Sequence, residues 1–168
     1  MIAPYGSWRS PITADRIVAA TVRLGSPKLS AGAVYWLESR PLEAGRGVVV
    51  RRGPSGDIAD VTPPGFNVRT RVHEYGGGAY WLDDDTVYFS NDGDGRLDRQ
   101  QAAAAPEPIV PEGPWRYADG FVDRARGRVV CVREDHSLTP EPANEIVALP
   151  LDGGPAETLV SGADFYSS

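Results

Sequence analysis

An all-β chain is what this sequence predicts: a partial β-propeller of about three four-stranded antiparallel blades, led by a short N-terminal helix. Two observations carry that reading. The first is punctuation, since 19 Gly and 15 Pro in 168 residues break up long helices and favour short strands joined by turns. The second is repetition. "VVVRRGPSGDIADVT", "RLDRQQAAAAPEPIV" and "IVALPLDGGPAETLV" each read as a strand, a small or polar turn, and a strand closing on apolar residues. The closing residues Val61, Ile109 and Leu159 lie 48 and 50 positions apart. The preceding strands also recur as "AVYWLES", "TVYFSN" and "RVVCVRED". Aromatic linkers follow, "RVHEYGGG", "PWRYADG" and "ADFYSS", placing Tyr75, Tyr117 and Tyr166 in equivalent positions. One four-stranded blade cannot bury both of its faces, whereas stacked blades bury them against one another. A β-sandwich also uses short, regularly spaced strands. The recurrence of unit and linker together favours the propeller.

Taken in order, the elements follow from local chemistry. Ser10 suits a helix N-cap and Pro11 the first helical position, where its missing N–H costs little. Ile12, Asp15 and Arg16 continue the helix, Asp15 near the positive end of its dipole. Beyond Ala20, β-branched residues and Gly25 end it, so residues 1–25 are read as helix and lead-in. Strands then run from about Lys28. "AVYWLES", "GVVVRR" and "DIADVT" are β-branched or aromatic and bounded by Gly and Pro. "GPSGD" is a hairpin turn, and "AYWLD" and "TVYFSN" form a second hairpin across three aspartates. "GRLDRQ", "EPIVPE", "YADGFVD", "GRVVCVRED", "NEIVALPL" and "AETLVS" complete the set. The propeller region is therefore 26–168, with blades at about 26–70, 71–114 and 115–163 and a fourth linker starting at 164–168. Propellers close with about four to eight blades. Three blades lead us to expect a fragment of a longer protein, or a chain that closes on other copies.

Composition removes several function classes. The net charge is −6 with scattered arginines, which disfavours a nucleic-acid partner that needs a basic stripe. No window holds 18 consecutive apolar residues, so no membrane partner is expected. "MIAPYGSWRS" lacks the basic start and apolar run of a signal peptide. With a single cysteine, Cys131, the expected location is cytoplasmic.

Each motif that suggests chemistry has a plainer explanation. A serine hydrolase needs its nucleophile on a Gly-x-Ser-x-Gly elbow, and "GPSGD" has neither that spacing nor that setting. His73 and Glu74 are adjacent, so on a strand they would face opposite ways, and His136 is the only other histidine. Neither HExxH nor paired cysteines are present, so no catalytic residue, metal or cofactor is assigned. "NDGDGRLD" resembles a calcium loop but lacks the bidentate glutamate at its twelfth position. The glycines of "YGGGAY" would suit a phosphate cradle, but they precede a strand and no lysine follows. A crowded bend into an inner strand explains them better. Aromatic pairs such as Tyr80-Trp81 are read as packing between blades, and Cys131 as a buried hydrophobe. Arg69, Arg71 and Glu74 remain as the charges gathered in one linker, candidates for lining the channel.

"YGSWRSPITADRIV", "DVTPPGFNVRTRVHEYGGGAYW" and "VYFSNDGDGRLDRQ" closely resemble the N-terminal region of prolyl-oligopeptidase-family (S9) serine peptidases, on the dipeptidyl-peptidase and acylaminoacyl-peptidase side. The resemblance extends through "WRYADG", "CVREDHS" and "LVSGADFYSS". It implies a propeller, commonly seven-bladed, covering a C-terminal α/β-hydrolase domain with a Ser, Asp and His triad. No triad residue can be placed on this sequence. The chain itself is thus expected to be non-catalytic, gating and orienting short peptides for a hydrolase domain outside it. There Glu74 would pair with a peptide amino terminus and Arg71 with a carbonyl or carboxylate. The equally weighted structural reading pairs those two charges with each other or with neighbouring blades. The alternative function is a stand-alone binding or scaffold protein closed by self-association. A metal-dependent propeller lactonase would need axial ligands that the sequence does not assemble.

Overall fold

The computed structural model describes residues 4–9, 11–13, 16, 21–101, 103–137 and 141–167. Among these residues, twelve strands form three separate four-stranded antiparallel sheets, each in simple meander order. Blade 1 holds β1 (Arg23–Ser30), β2 (Ala33–Arg40), β3 (Arg46–Arg52) and β4 (Ile58–Asp60). Blade 2 holds β5 (Tyr80–Asp83), β6 (Thr86–Ser90), β7 (Leu97–Gln101) and β8 (Glu107–Pro108). Blade 3 holds β9 (Trp115–Asp123), β10 (Arg128–Asp135), β11 (Ala143–Pro150) and β12 (Glu157–Ser161). The all-β, bladed architecture read from the repeat is the one observed. Most of the expected N-terminal helix, including Ser10 and Asp15, lies outside the described residues.

Side-chain alternation on β5 shows how the stack is held. Tyr80 and Trp81 are consecutive, so they point to opposite faces of the sheet. Tyr80 joins Tyr35, Val49, Val87 and Phe89 in a core between blades 1 and 2. Trp81 joins Tyr88, Leu97, Tyr117, Cys131 and Val147 in a core between blades 2 and 3. Trp81 and Tyr88 are cross-strand partners, with rings stacked at 6.2 Å and 3°. Burying each such side chain stabilises the stack by about 1.5–3 kcal/mol. A side chain at Gly120 would run into the Trp81 indole, so the inner strand of blade 3 needs glycine there.

Two expectations are corrected. Strand β1 begins at Arg23, inside the segment read as helix and lead-in. Its register with β2 slips between Gly25 and Lys28, and Ser26 has a φ of +50°. That bulge lets an edge strand absorb Gly25 and Pro27, the residues that disguised it in sequence. Nor are the three linker tyrosines equivalent. Tyr75 is 97% exposed, Tyr117 is buried within β9, and Tyr166 is half-buried against Val72, Ala118 and Val132. The long connection from β4 to β5 makes its own bridge, Val68 to Asn91, and this takes Tyr75 off the blade pattern.

Candidate functional site

The connection entering blade 2 is pinned before it turns. Arg69 N–H donates to the Ser90 carbonyl (3.1 Å), and Val72 is fully buried with Ala118 and Val132. The chain then reverses: Glu74 N–H donates to Arg71 O (2.9 Å) and Gly76 N–H to Val72 O (2.9 Å). His73 and Glu74 adopt left-handed φ values of +57° and +58°. For residues with a Cβ, such a conformation costs about 1–3 kcal/mol each and persists only where surroundings enforce it. Blade 3 supplies that enforcement. Glu134 accepts the His73 N–H at 2.6 Å, and Arg116 donates to the Arg71 carbonyl at 2.9 Å.

Glu134 is the hub of the cluster. It is buried on β10 directly opposite Arg116 of β9, whose guanidinium approaches its carboxylate to 3.7 Å. His136 Nε2 donates to its other oxygen at 3.0 Å. His73 Nδ1 lies 3.2 Å from Glu134 Oε1 but makes no aligned hydrogen bond. The opposite ring nitrogen, Nε2, sits 2.9 Å from the Tyr166 carbonyl, which can only accept, so Nε2 carries the proton. Phe165 packs edge-on against the same imidazole at 5.0 Å.

The sequence-derived residues fall into this frame unequally. Arg71 and Glu74 do meet, at 3.0 Å, and Arg116 reaches the other Glu74 oxygen at 2.6 Å. Those bonds, Arg116 first and Arg71 second, hold the Glu74 carboxyl well below the usual range, at about 2. Arg69 stands apart from Glu74, in a small cavity of about 140 Å³ shared with Arg71, Ser90, Asn91 and Arg116. Glu74 instead borders a larger groove of about 1080 Å³ with Tyr75, Arg116, Glu134, His136 and Phe165. Arg116 therefore links both spaces. The cluster offers guanidinium N–H groups to an acceptor, while the Glu74 oxygens are already shared between two cations.

Arg116 and Glu134 are not candidates in the sequence reading, and His136 enters it only as the second histidine weighed for catalysis or metal binding. The signal for Glu134 was alternation, because it is in phase with Val130 and Val132 on one face of β10. The glycine run is explained by Asp119, the counterpart in "WRYADG". Asp119 Oδ1 accepts the Gly78 N–H at 2.7 Å, and its own N–H returns to Gly78 O at 3.0 Å. A Cβ on Gly77 or Gly78 would sit 2.7 or 2.6 Å from the Asp119 carboxylate. "GPSGD" is a hairpin turn closed by Gly53 N–H to Asp57 O at 2.9 Å. In "NDGDGRLD", Asp94 is engaged by Arg96 and Asn91 within the turn. Among the described residues, no group of three or more His, Cys, Asp or Glu is placed to hold a metal ion.

Stacked antiparallel blades with a braced charge cluster between them define a propeller module. Comparison with solved structures gives its kin. A puromycin-hydrolyzing peptidase of Mycobacterium tuberculosis is 38% identical, with a TM-score of 0.83, over 98% of this chain and 28% of that one. Two structures of puromycin hydrolase are 30% and 32% identical, with TM-scores of 0.81 and 0.77. They match 95% and 90% of this chain and 27% and 25% of theirs. The chain thus spans about a quarter of the length of these peptidases, and corresponds to the N-terminal propeller region of the prolyl-oligopeptidase-like kind. A chain of a nidogen/laminin complex, 13% identical with a TM-score of 0.55, shares the fold alone. No family model and no curated protein matches the sequence.

Proposed function

We propose that this chain is the non-catalytic propeller portion of a serine peptidase, and that it gates and orients short peptides for a hydrolase domain outside this sequence. The observation that carries the reading is the Arg71–Tyr75 turn. Its backbone is strained, braced from blade 3, and presents charges beside an open groove. The match to puromycin-hydrolyzing peptidases supports a peptidase setting. Arg71 and Arg116 retain N–H groups for a peptide carbonyl or carboxylate. Glu74 would receive a peptide amino terminus only in competition with those arginines. Arg69 plays a lesser part, from the neighbouring small cavity. The buried, solitary Cys131 suits a reducing compartment, so we place the protein in the cytoplasm. Among the described residues, no helix is long and apolar enough to cross a membrane.

The test is steady-state kinetics on a protein that joins this segment to its hydrolase domain. Glu74→Ala and Arg71→Ala should raise KM for short peptides more than they lower kcat, the mark of lost substrate binding. An unaltered kcat/KM in both variants would refute the orienting role.

A second reading is a stand-alone module closed by self-association. It is favoured by apolar residues on the two outermost sheets, Leu24, Leu29 and Ile58 on blade 1 and Phe121 and Val160 on blade 3, all of them exposed. Light scattering distinguishes the two: a discrete dimer supports self-closure, and a monomer the first reading.

A further inference from the structure

Three arginines line the small cavity of about 140 Å³, Arg69 and Arg71 from the β4–β5 connection and Arg116 from β9. Its neutral polar walls are already engaged. The Ser90 hydroxyl donates to the Tyr117 carbonyl at 2.7 Å, and the Asn91 side-chain amide donates to Asp94 at 3.0 Å. The Thr70 hydroxyl accepts the Val72 N–H at 3.3 Å. Gly95, at a φ of +71°, lets the β6–β7 hairpin close on β9, since a Cβ there would stand 3.3 Å from the Trp115 carbonyl. What the walls still offer is guanidinium N–H groups.

The three positive charges are unequally met. Arg71 pairs with Glu74 at 3.0 Å, and Arg116 pairs with Glu74 at 2.6 Å and approaches Glu134 to 3.7 Å. Arg69 differs. Its backbone N–H is held by the Ser90 carbonyl, yet among the described residues its guanidinium has no hydrogen bond and no ion pair. Among the described residues, Asp92 is the only carboxylate lining this cavity, and it accepts from the Asn67 side chain at 3.3 Å.

We propose that this cavity binds a carboxylate, gripped by the Arg69 fork with Arg71 and Arg116 supplying further N–H groups. Its volume of about 140 Å³ admits a carboxylate at the end of a chain rather than the chain itself. Pockets for whole drug-sized molecules run to roughly 300–1,000 Å³. One unpaired guanidinium, with Asp92 in the wall, matches a planar monoanion better than a phosphate dianion. The inference goes beyond the peptide-orienting reading. The cavity shares only Arg116 with the larger groove, and its test needs this chain alone, so either reading can fail without the other.

The experiment is an NMR titration of the 168-residue chain at pH 7 and constant ionic strength, following the Arg69 side-chain Nε–H and the Gly95 amide. The probes are acetate, N-acetylglycylglycine, the amide of that same peptide, and inorganic phosphate. Both carboxylates should give saturable shifts and the neutral amide none. Equal affinity for the two supports a site for the carboxylate group itself, and tighter binding of the peptide supports a peptide C-terminus. Arg69→Gln should weaken binding about tenfold or more, the range for a charge-assisted hydrogen bond. Arg69→Lys keeps the charge without the fork and should fall between. Because the Arg69 guanidinium makes no bond in the fold, Arg69→Gln should leave the unfolding midpoint unchanged; a lowered midpoint would make Arg69 structural and overturn the proposal. So would equal shifts with the amide, tighter binding of phosphate than of acetate, undiminished binding in Arg69→Gln, or no binding of either carboxylate.

Discussion

Asp98 gives the sharpest test of the energetics. It lies on β7 opposite Phe89 and Pro108, is 2% exposed, and has one carboxylate oxygen with no hydrogen-bond partner among the described residues. Burial raises its carboxyl to about 6, with the charge of Asp94 adding to the shift and Arg96 opposing it. In the unfolded chain an aspartate titrates near 3.9. The folded state therefore binds the proton more tightly, and stability falls as pH rises from about 4 to about 6, staying lower above that. Moving the carboxyl from about 3.9 to about 6 corresponds to about 3 kcal/mol of penalty at pH 7–8. Asp98→Asn removes the ionisation at nearly constant shape. It should raise stability by about 2–3 kcal/mol at pH 8, or about 5–10 °C in Tm for a chain of this size, and have little effect at pH 4. Urea unfolding of both proteins at the two pH values measures this. A variant less stable at pH 8, or an equal change at both pH values, would refute the reasoning.

Other consequences follow from the same contacts. Glu134→Ala should destabilise the chain by about 3–5 kcal/mol, since it strips a buried acceptor from His73, His136 and Arg116 together; thermal unfolding reads the loss. Gly120→Ala should cost about 1–3 kcal/mol and displace the stacked Trp81–Tyr88 pair, visible as a changed near-UV circular dichroism spectrum. The Glu74 carboxyl carbon should titrate near pH 2 by NMR, and Arg116→Gln should move that midpoint upward, because the Arg116 bond is its largest cause. The contribution of that bond is present above the unfolded value and lost as pH falls through the folded one.

The blades were legible because their signals are local and periodic. Alternation along "AYWLD" and "TVYFSN" fixes which residues face which neighbour, and the repeat fixes how many sheets there are. Strand β1 was hidden because a bulge accommodates Gly25-Ser26-Pro27, residues that on their own suggest a turn. The site was half legible. Arg71 and Glu74 are three apart and their pairing follows from one turn, but the partners that hold it lie 42 and 61 residues downstream in Arg116 and Glu134. Nothing in a local window announces such braces. Aromatic spacing alone puts Tyr75 at a repeat position, but the longer connection between β4 and β5 carries it off the blade.

The back-to-back placement of Tyr80 and Trp81 also bears on how the stack comes apart. Blade 2 is the sheet to which both cores are anchored, and two neighbouring residues of one strand carry an anchor each. Loosening either core therefore pulls on the same few peptide units, and the outer sheets cannot detach as independent modules without disturbing the middle one. Amide hydrogen exchange should register this as a gradient. Protection should be greatest along β5 and β6, close to that of global unfolding, and fall toward β1 and β12 at the two ends.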